Sequence, residues 1–305
     1  MSNDPAPRSL GAWMMSCRPK TWGVALAPVI VGTAFAWAQN FSLNLLIFAA
    51  TAILAVCMQA ITNMENDAGY TQRKAERSNR KGLPRATSLG LLSVGEVHKA
   101  IVLVALLAMI DTFYLMSAGG PWFIAVTIFS VIAAYAYMGG PYPIAYSPFG
   151  EATVLLFFGF VATCGTYYLQ TKSISAASLL GGLGLGCIAS NVLCVNNFRD
   201  IRHDASIGRK TLAVCLGEKR FLGLFSFLQA VPYAASAALC LADWRYFPCM
   251  IVFAALPKSL RIIRDIRVKK GNELNAVLFS TVKLEVLFAL LLSAGALASG
   301  FIRMS

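Results

Sequence analysis

Apolar and polar positions along this chain fall into long blocks, with no strand-like alternation to suggest a sheet. An α-helix needs about 20 mostly apolar residues to cross the hydrocarbon core of a bilayer. Nine runs approach that length, near 22–38, 43–62, 98–117, 120–138, 150–170, 176–196, 220–241, 245–260 and 276–300. The eighth is short and broken by Pro248 and Pro257, which makes it the weakest match to a span. The pattern predicts an all-α polytopic membrane protein, a single domain over 1–305 with nine transmembrane helices. A polar and basic segment over 1–20 leads into the first span and does not read as a cleavable signal peptide.

The polar blocks orient the bundle. With the N-terminus on the cytoplasmic side, the inside segments hold clusters such as Arg73, Lys74, Arg77, Arg80 and Lys81, and Arg199, Arg202, Arg209 and Lys210. The outside segments hold only Lys172, Arg245 and Arg303. Lys and Arg concentrate in cytoplasmic loops, and an odd number of spans follows. One inside loop, "GGPYPIAYSPFGE", lacks Lys and Arg and reads as a rigid turn whose Tyr142, Tyr146 and Glu151 either cover an opening or sit as interfacial groups.

Composition agrees. Charged residues make up 13% and apolar ones 57% of the 305 residues, with mean hydropathy +0.65. A soluble domain carries roughly 25% charged residues. The net charge of +12 is accounted for by the inside loops, so no nucleic-acid partner is expected. The eight cysteines are scattered without a CxxC pair and read as small buried hydrophobes.

Two inside segments carry acid as well as base. "NMENDAGYTQRKAERSNRKGLPRATS" follows the second span, and "NNFRDIRHDASIGRKTLAV" follows the sixth. Both open with asparagines beside an aspartate and proceed to a basic residue and a threonine, which hints at two related halves. On a helix, Asp200 and Asp204 share a face at i and i+4. Mg²⁺ takes one or two carboxylates plus substrate phosphates. Asn63, Asn66, Asp67 and Glu76 offer oxygens from the opposite side, and the neighbouring Arg and Lys suit a polyanion. The combination points to a Mg²⁺-diphosphate above a tunnel for a lipid tail. The blander alternative, solvated loop charge, covers the cations well and the aspartates placed at helix ends less well.

These residues resemble the UbiA superfamily of intramembrane prenyltransferases, and within it the branch that prenylates 1,4-dihydroxy-2-naphthoate. The likeness is carried by "RPKTWGVALAPVIVGTA", "GPYPIAYSPFGE", "FFGFVATCGTYYLQT", "NNFRDIRHDASIGRKTLAVCLG" and "GNELNAVL", spread over almost the whole chain. It implies helices around a central cavity that opens laterally to membrane lipid. It also implies a polyprenyl diphosphate donor held through Mg²⁺ by two aspartate motifs, an aromatic acceptor, and a bacterial inner-membrane site facing the cytoplasm.

Residue by residue, the resemblance implies catalytic roles for Asp67, Asp200 and Asp204, with Asn63, Asn66 and Glu76 as further metal ligands. Lys20, Arg80, Arg85, Asn197 and Lys210 are the expected polar substrate contacts. Aromatic faces stabilise an allylic cation, and Tyr142, Tyr146 and Tyr167, with Tyr137 and Tyr168, are candidates. The first motif departs from the family's NxxNDxxD. Tyr70 stands where the next Asp belongs, Glu76 falls where a later Asp sits, and Asn79 replaces a further one, whereas Arg80, Gly82 and Arg85 match. A phenol titrates near 10 and does not replace a carboxylate.

Asp111, Lys283 and Glu285 lie inside spans and are expected to be structurally paired. Competing readings are a UbiA-type enzyme or terpene cyclase with another acceptor, a secondary transporter, and a lipid-binding protein without catalysis. A transporter places its binding groups near the membrane midplane, unlike these loop-end clusters.

Overall fold

The computed structural model describes residues 5–75 and 82–304, and all regular structure among them is helical. A short helix α1 (Leu10–Cys17) leads through a 3₁₀ turn at Pro19–Thr21 into α2 (Trp22–Asn40). There follow α3 (Leu45–Gln72), α4 (Val94–Gly119), α5 (Phe123–Ala136), α6 (Gly150–Thr171), α7 (Ala176–Arg199), α8 (Ile201–Ser206) and α9 (Leu212–Ala242). A 3₁₀ segment, Trp244–Ala255, continues into α10 (Leu256–Val268), and α11 (Leu274–Met304) closes the chain.

Among the described residues, eight helical segments are long and apolar enough to cross a membrane. The run expected at 120–138 is the exception. Its helix α5 has 14 residues, about 21 Å at 1.5 Å per residue. Pro121 precedes it, and Gly139, Gly140 and Pro141 follow it, with Gly140 at φ 72°. The eighth expected run is irregular for the reason its prolines give. Pro248 sits in the 3₁₀ segment, where it cannot supply an amide donor, and Pro257 starts α10. That segment lies hard against α11: a Cβ on Gly295 would fall 2.5 Å from Cys249 Cα.

Helix starts follow local chemistry. Asn44 Oδ1 accepts from the amides of Leu46 and Ile47, and Ser93 with Glu96 forms a capping box at α4. One large apolar cluster joins α2, α7, α9 and α11, and a second joins α1, α3 and α4. A cavity of about 690 Å³ lies between them, lined from α2, α3, α5, α6 and α7. Its α6 wall is π-helical over Leu155–Val161. There a Cβ on Gly159 would meet Gly182 O at 2.6 Å, so the two backbones touch.

Candidate functional site at the charged end of the cavity

α3 continues past its apolar part, bringing Asn63 and Asn66 to one end of the cavity and burying Asp67 and Tyr70 beside them. Asn63 Nδ2 donates to Cys17 O (2.9 Å) and Thr21 Oγ1 (3.1 Å), and Gln59 Nε2 donates to the same hydroxyl (3.1 Å). These bonds dock the N-terminal turn so that Arg18 and Lys20 join the cavity lining beside Asn63 and Asn66.

Asp67 is fully buried. Its Oδ1 accepts from Thr87 N (2.9 Å) and the Thr87 hydroxyl, and its Oδ2 accepts from Ala86 N (3.0 Å). Charge-assisted bonds of this kind hold backbone firmly, and here they fix the turn that presents Arg85. The Arg85 guanidinium donates to Asn66 Oδ1 (3.0 Å) and lies 3.5 Å above the Tyr70 ring.

The second segment crosses the end of α7 into α8, with Asp200 at the junction. Arg199 grips both Asp200 oxygens (3.0 and 2.7 Å), Asn196 Oδ1 (2.5 Å) and Asn275 Oδ1 of α11 (2.6 Å). Arg209 donates to Asp204 Oδ1 (2.7 Å), twice to Ala145 O (3.0 and 2.7 Å), and to the Tyr70 hydroxyl. Burial opposes the charge on Arg209, but the surrounding phenol and carboxylate oxygens outweigh it and raise its pKa. His203 Nε2 lies 2.9 Å from Ala75 O and ties α8 to the end of α3.

The structure brings Lys20, Asn63 and Asn66 to the cavity and separates other candidates from it. Asn197 turns to Glu151 Oε1 (2.9 Å), and its neighbour Asn196 lines the cavity instead. The Lys210 side chain is exposed while its amide holds Tyr146 O (3.0 Å); the buried cation is the adjacent Arg209. Tyr146 sits between Arg73 and Arg209, 5.4 and 5.3 Å from its ring, and burial raises its pKa. Tyr142 is 91% exposed, and Tyr167 is buried against Gln39.

The aromatic lining comes from Phe123, Tyr137, Phe157, Phe158 and Phe279; only Tyr137 was expected. Glu76, Asn79 and Arg80 lie outside the described residues. The expected pairing of Glu285 is not found: it is fully buried, and neither carboxylate oxygen has a hydrogen-bond partner among the described residues. Asp111 Oδ2 likewise has none.

Among the described residues, no group of three or more His, Cys, Asp or Glu side chains is assembled to hold a metal ion. The oxygen donors nevertheless suit a hard cation. Asp200 and Asn196 share one guanidinium, so a cation in place of Arg199 would meet two oxygens at once. Arg199 also lines the cavity.

Amides and cations at the rim of an apolar chamber, backed by aspartates, make a helical bundle suited to an anionic head and a greasy tail. Residues 25–284 match the UbiA prenyltransferase family, and the chain belongs to it. It is 30% identical over 298 residues to 1,4-dihydroxy-2-naphthoate octaprenyltransferase of Haemophilus influenzae, covering 94% of this chain and 96% of that one. Against the Mycobacterium tuberculosis protein of that name the identity is 34% over 297 residues, covering 96% and 98%. A solved UbiA homolog from Archaeoglobus fulgidus bound to GPP and Mg²⁺ shares the fold. Its TM-score is 0.70 at 18% identity, covering 94% of this chain and 99% of that one.

Proposed function

We propose that this chain transfers a prenyl group from a polyprenyl diphosphate to 1,4-dihydroxy-2-naphthoate, a step of menaquinone biosynthesis. We place it in a bacterial inner membrane with its charged end facing the cytoplasm. The observation that carries the reading is the Asn196–Arg199–Asp200 cluster at the rim of the apolar cavity, in a chain similar over nearly its full length to naphthoate octaprenyltransferases.

Bound Mg²⁺ would neutralise charge on the leaving diphosphate. Asp200 and Asn196 are the residues to hold it, with Asn63, Asn66 and Glu76 as oxygen donors from the first segment. Arg199 and Lys20 supply positive charge to the diphosphate oxygens, with Arg199 suited to grip them bidentately, and the buried Arg85 adds its charge from behind Asn66. The C–O bond of the donor breaks with its electron pair leaving on the diphosphate. The face of Tyr137 stabilises the allylic cation that remains. The electron-rich ring then bonds to that carbon and gives up CO₂, whose bonding pair stays with the ring, so no net proton is exchanged. The apolar lining keeps water from the cation.

The test uses purified protein in nanodiscs with Mg²⁺, farnesyl or geranylgeranyl diphosphate and 1,4-dihydroxy-2-naphthoate. Mass spectrometry should show prenylated naphthoquinol that disappears with EDTA. Mg²⁺-dependent diphosphate release without that product would move the assignment to another acceptor or to cyclisation.

A further inference from the structure

The two charged segments look alike enough to supply a carboxylate set each, and with them two cations. The structure treats them differently. In the first segment, Asp67 is committed to the amides of Ala86 and Thr87, and the next position of the motif is Tyr70. The Tyr70 hydroxyl meets Arg209, and its ring carries Arg85 at 3.5 Å. In the second segment, Asp204 is the carboxylate that Arg209 grips at 2.7 Å. Arg209 is 4% exposed, bonded twice to a backbone carbonyl, and flanked by the rings of Tyr70 and Tyr146, each 5.3 Å away.

Arg199 is held differently. Its partners are all side chains, Asp200, Asn196 and Asn275, and it lines the cavity. A guanidinium held by side chains can exchange onto a diphosphate. One locked to a backbone carbonyl and stacked between two rings is a fixed charge.

From this juxtaposition we infer that the chain binds a single divalent cation, on Asp200, and that the Tyr70–Arg209–Asp204 strut with Arg85 is a permanent cationic wall standing where a second ion would go. Tyr70 is the residue that decides the count. An Asp there would set an anion against Arg209 and Arg85, loosen the hold on Asp204, and complete a second oxygen site. Asp204 is thereby a positioning residue that orients Arg209.

This inference rests on the diphosphate reading and is tested apart from the acceptor. Full-length protein in nanodiscs is titrated with Mn²⁺ in the presence of farnesyl thiolodiphosphate, whose bridging sulfur resists ionisation. Bound Mn²⁺ is counted by electron paramagnetic resonance and calorimetry. The wild type should bind one ion per chain. Asp200→Asn should weaken that ion at least tenfold, and Asp204→Asn should leave it in place.

Tyr70→Asp should raise the count to two, whereas Tyr70→Phe, which keeps the stack and loses the hydroxyl, should leave it at one. Two ions in the wild type would overturn the inference. So would a count of one in folded Tyr70→Asp, or loss of the ion in folded Asp204→Asn. If Tyr70→Asp does not fold, the wild-type count and the Asp200→Asn and Asp204→Asn pair decide alone. No Mn²⁺ bound at all, despite tight binding of the thiolodiphosphate, would also overturn it and would remove the metal from the proposed function. No binding of either would instead remove the diphosphate reading.

Discussion

The segment after α3 and the segment after α7 both begin with asparagines and an aspartate where an apolar helix meets the loops, yet their acids have different partners. Asp67 accepts from backbone amides and holds the turn at Ala86–Thr87 in place. Asp200 and Asp204 face guanidinium groups, Arg199 and Arg209. An acid bonded to backbone is part of the scaffold, because removing it leaves buried amides without an acceptor. Asp200, whose Arg199 is held by side chains alone, can exchange that partner for a cation, whereas Asp204 is paired with the fixed Arg209. The matching aspartates Asp67 and Asp200 thus serve support in one segment and chemistry in the other, and the likeness of their sequences conceals the division.

The comparison can be broken by mutation. Asp200→Asn should lower prenyl transfer by about 10²- to 10³-fold, the usual scale for losing one preorganised electrostatic group, with a smaller loss of thermal stability than Asp67→Ala because the amide still accepts from Arg199. Asp67→Ala should do the reverse in kind. It should cost about 3 kcal/mol of stability, since hydrogen bonds to a charged acceptor contribute about 1.5–3 kcal/mol each, and the activity of whatever remains folded should fall much less. Thermal unfolding and limited proteolysis near residues 82–92 would read it. Equal behaviour of the two variants would erase the distinction.

Arg199→Lys keeps the charge but loses the fork that spans Asp200, Asn196 and Asn275, and should raise the KM for the diphosphate donor by about tenfold. The smallest effect belongs to Lys210→Ala. Its side chain is exposed, so the change should be within about twofold and vanish as salt screens it.

Most of the bundle was legible because bilayer length leaves so few choices for an apolar run. α5 is where that logic fell short: Pro121 and the Gly139–Gly140–Pro141 stretch cut the helix inside an apolar block. The π turn of α6 was not legible either. It lies where the backbones of Gly159 and Gly182 touch, and no single run of sequence records that contact.

At the site, residue types on helix ends pointed to the charged end of the cavity, but not to the member of each adjacent pair that faces inward. Asn196 rather than Asn197 lines the cavity, and Arg209 rather than Lys210 is buried. Neighbours differ by about 100° around a helix, so a shift of one residue reverses the assignment, and in the loop at 207–211 there is no period to read. Tyr70 stood out as a departure from the motif, yet its meaning needed Arg85 and Arg209, one distant in sequence and both basic residues among many.

The most direct test of the division between the segments is a crystal or cryo-EM structure with Mn²⁺ and farnesyl thiolodiphosphate, the ion located by anomalous scattering or by its density. The account predicts the ion against Asp200, with Arg199 moved onto the diphosphate and Asp67 still bonded to Ala86 and Thr87. An ion bound by Asp67, with Arg199 still on Asp200, would contradict it.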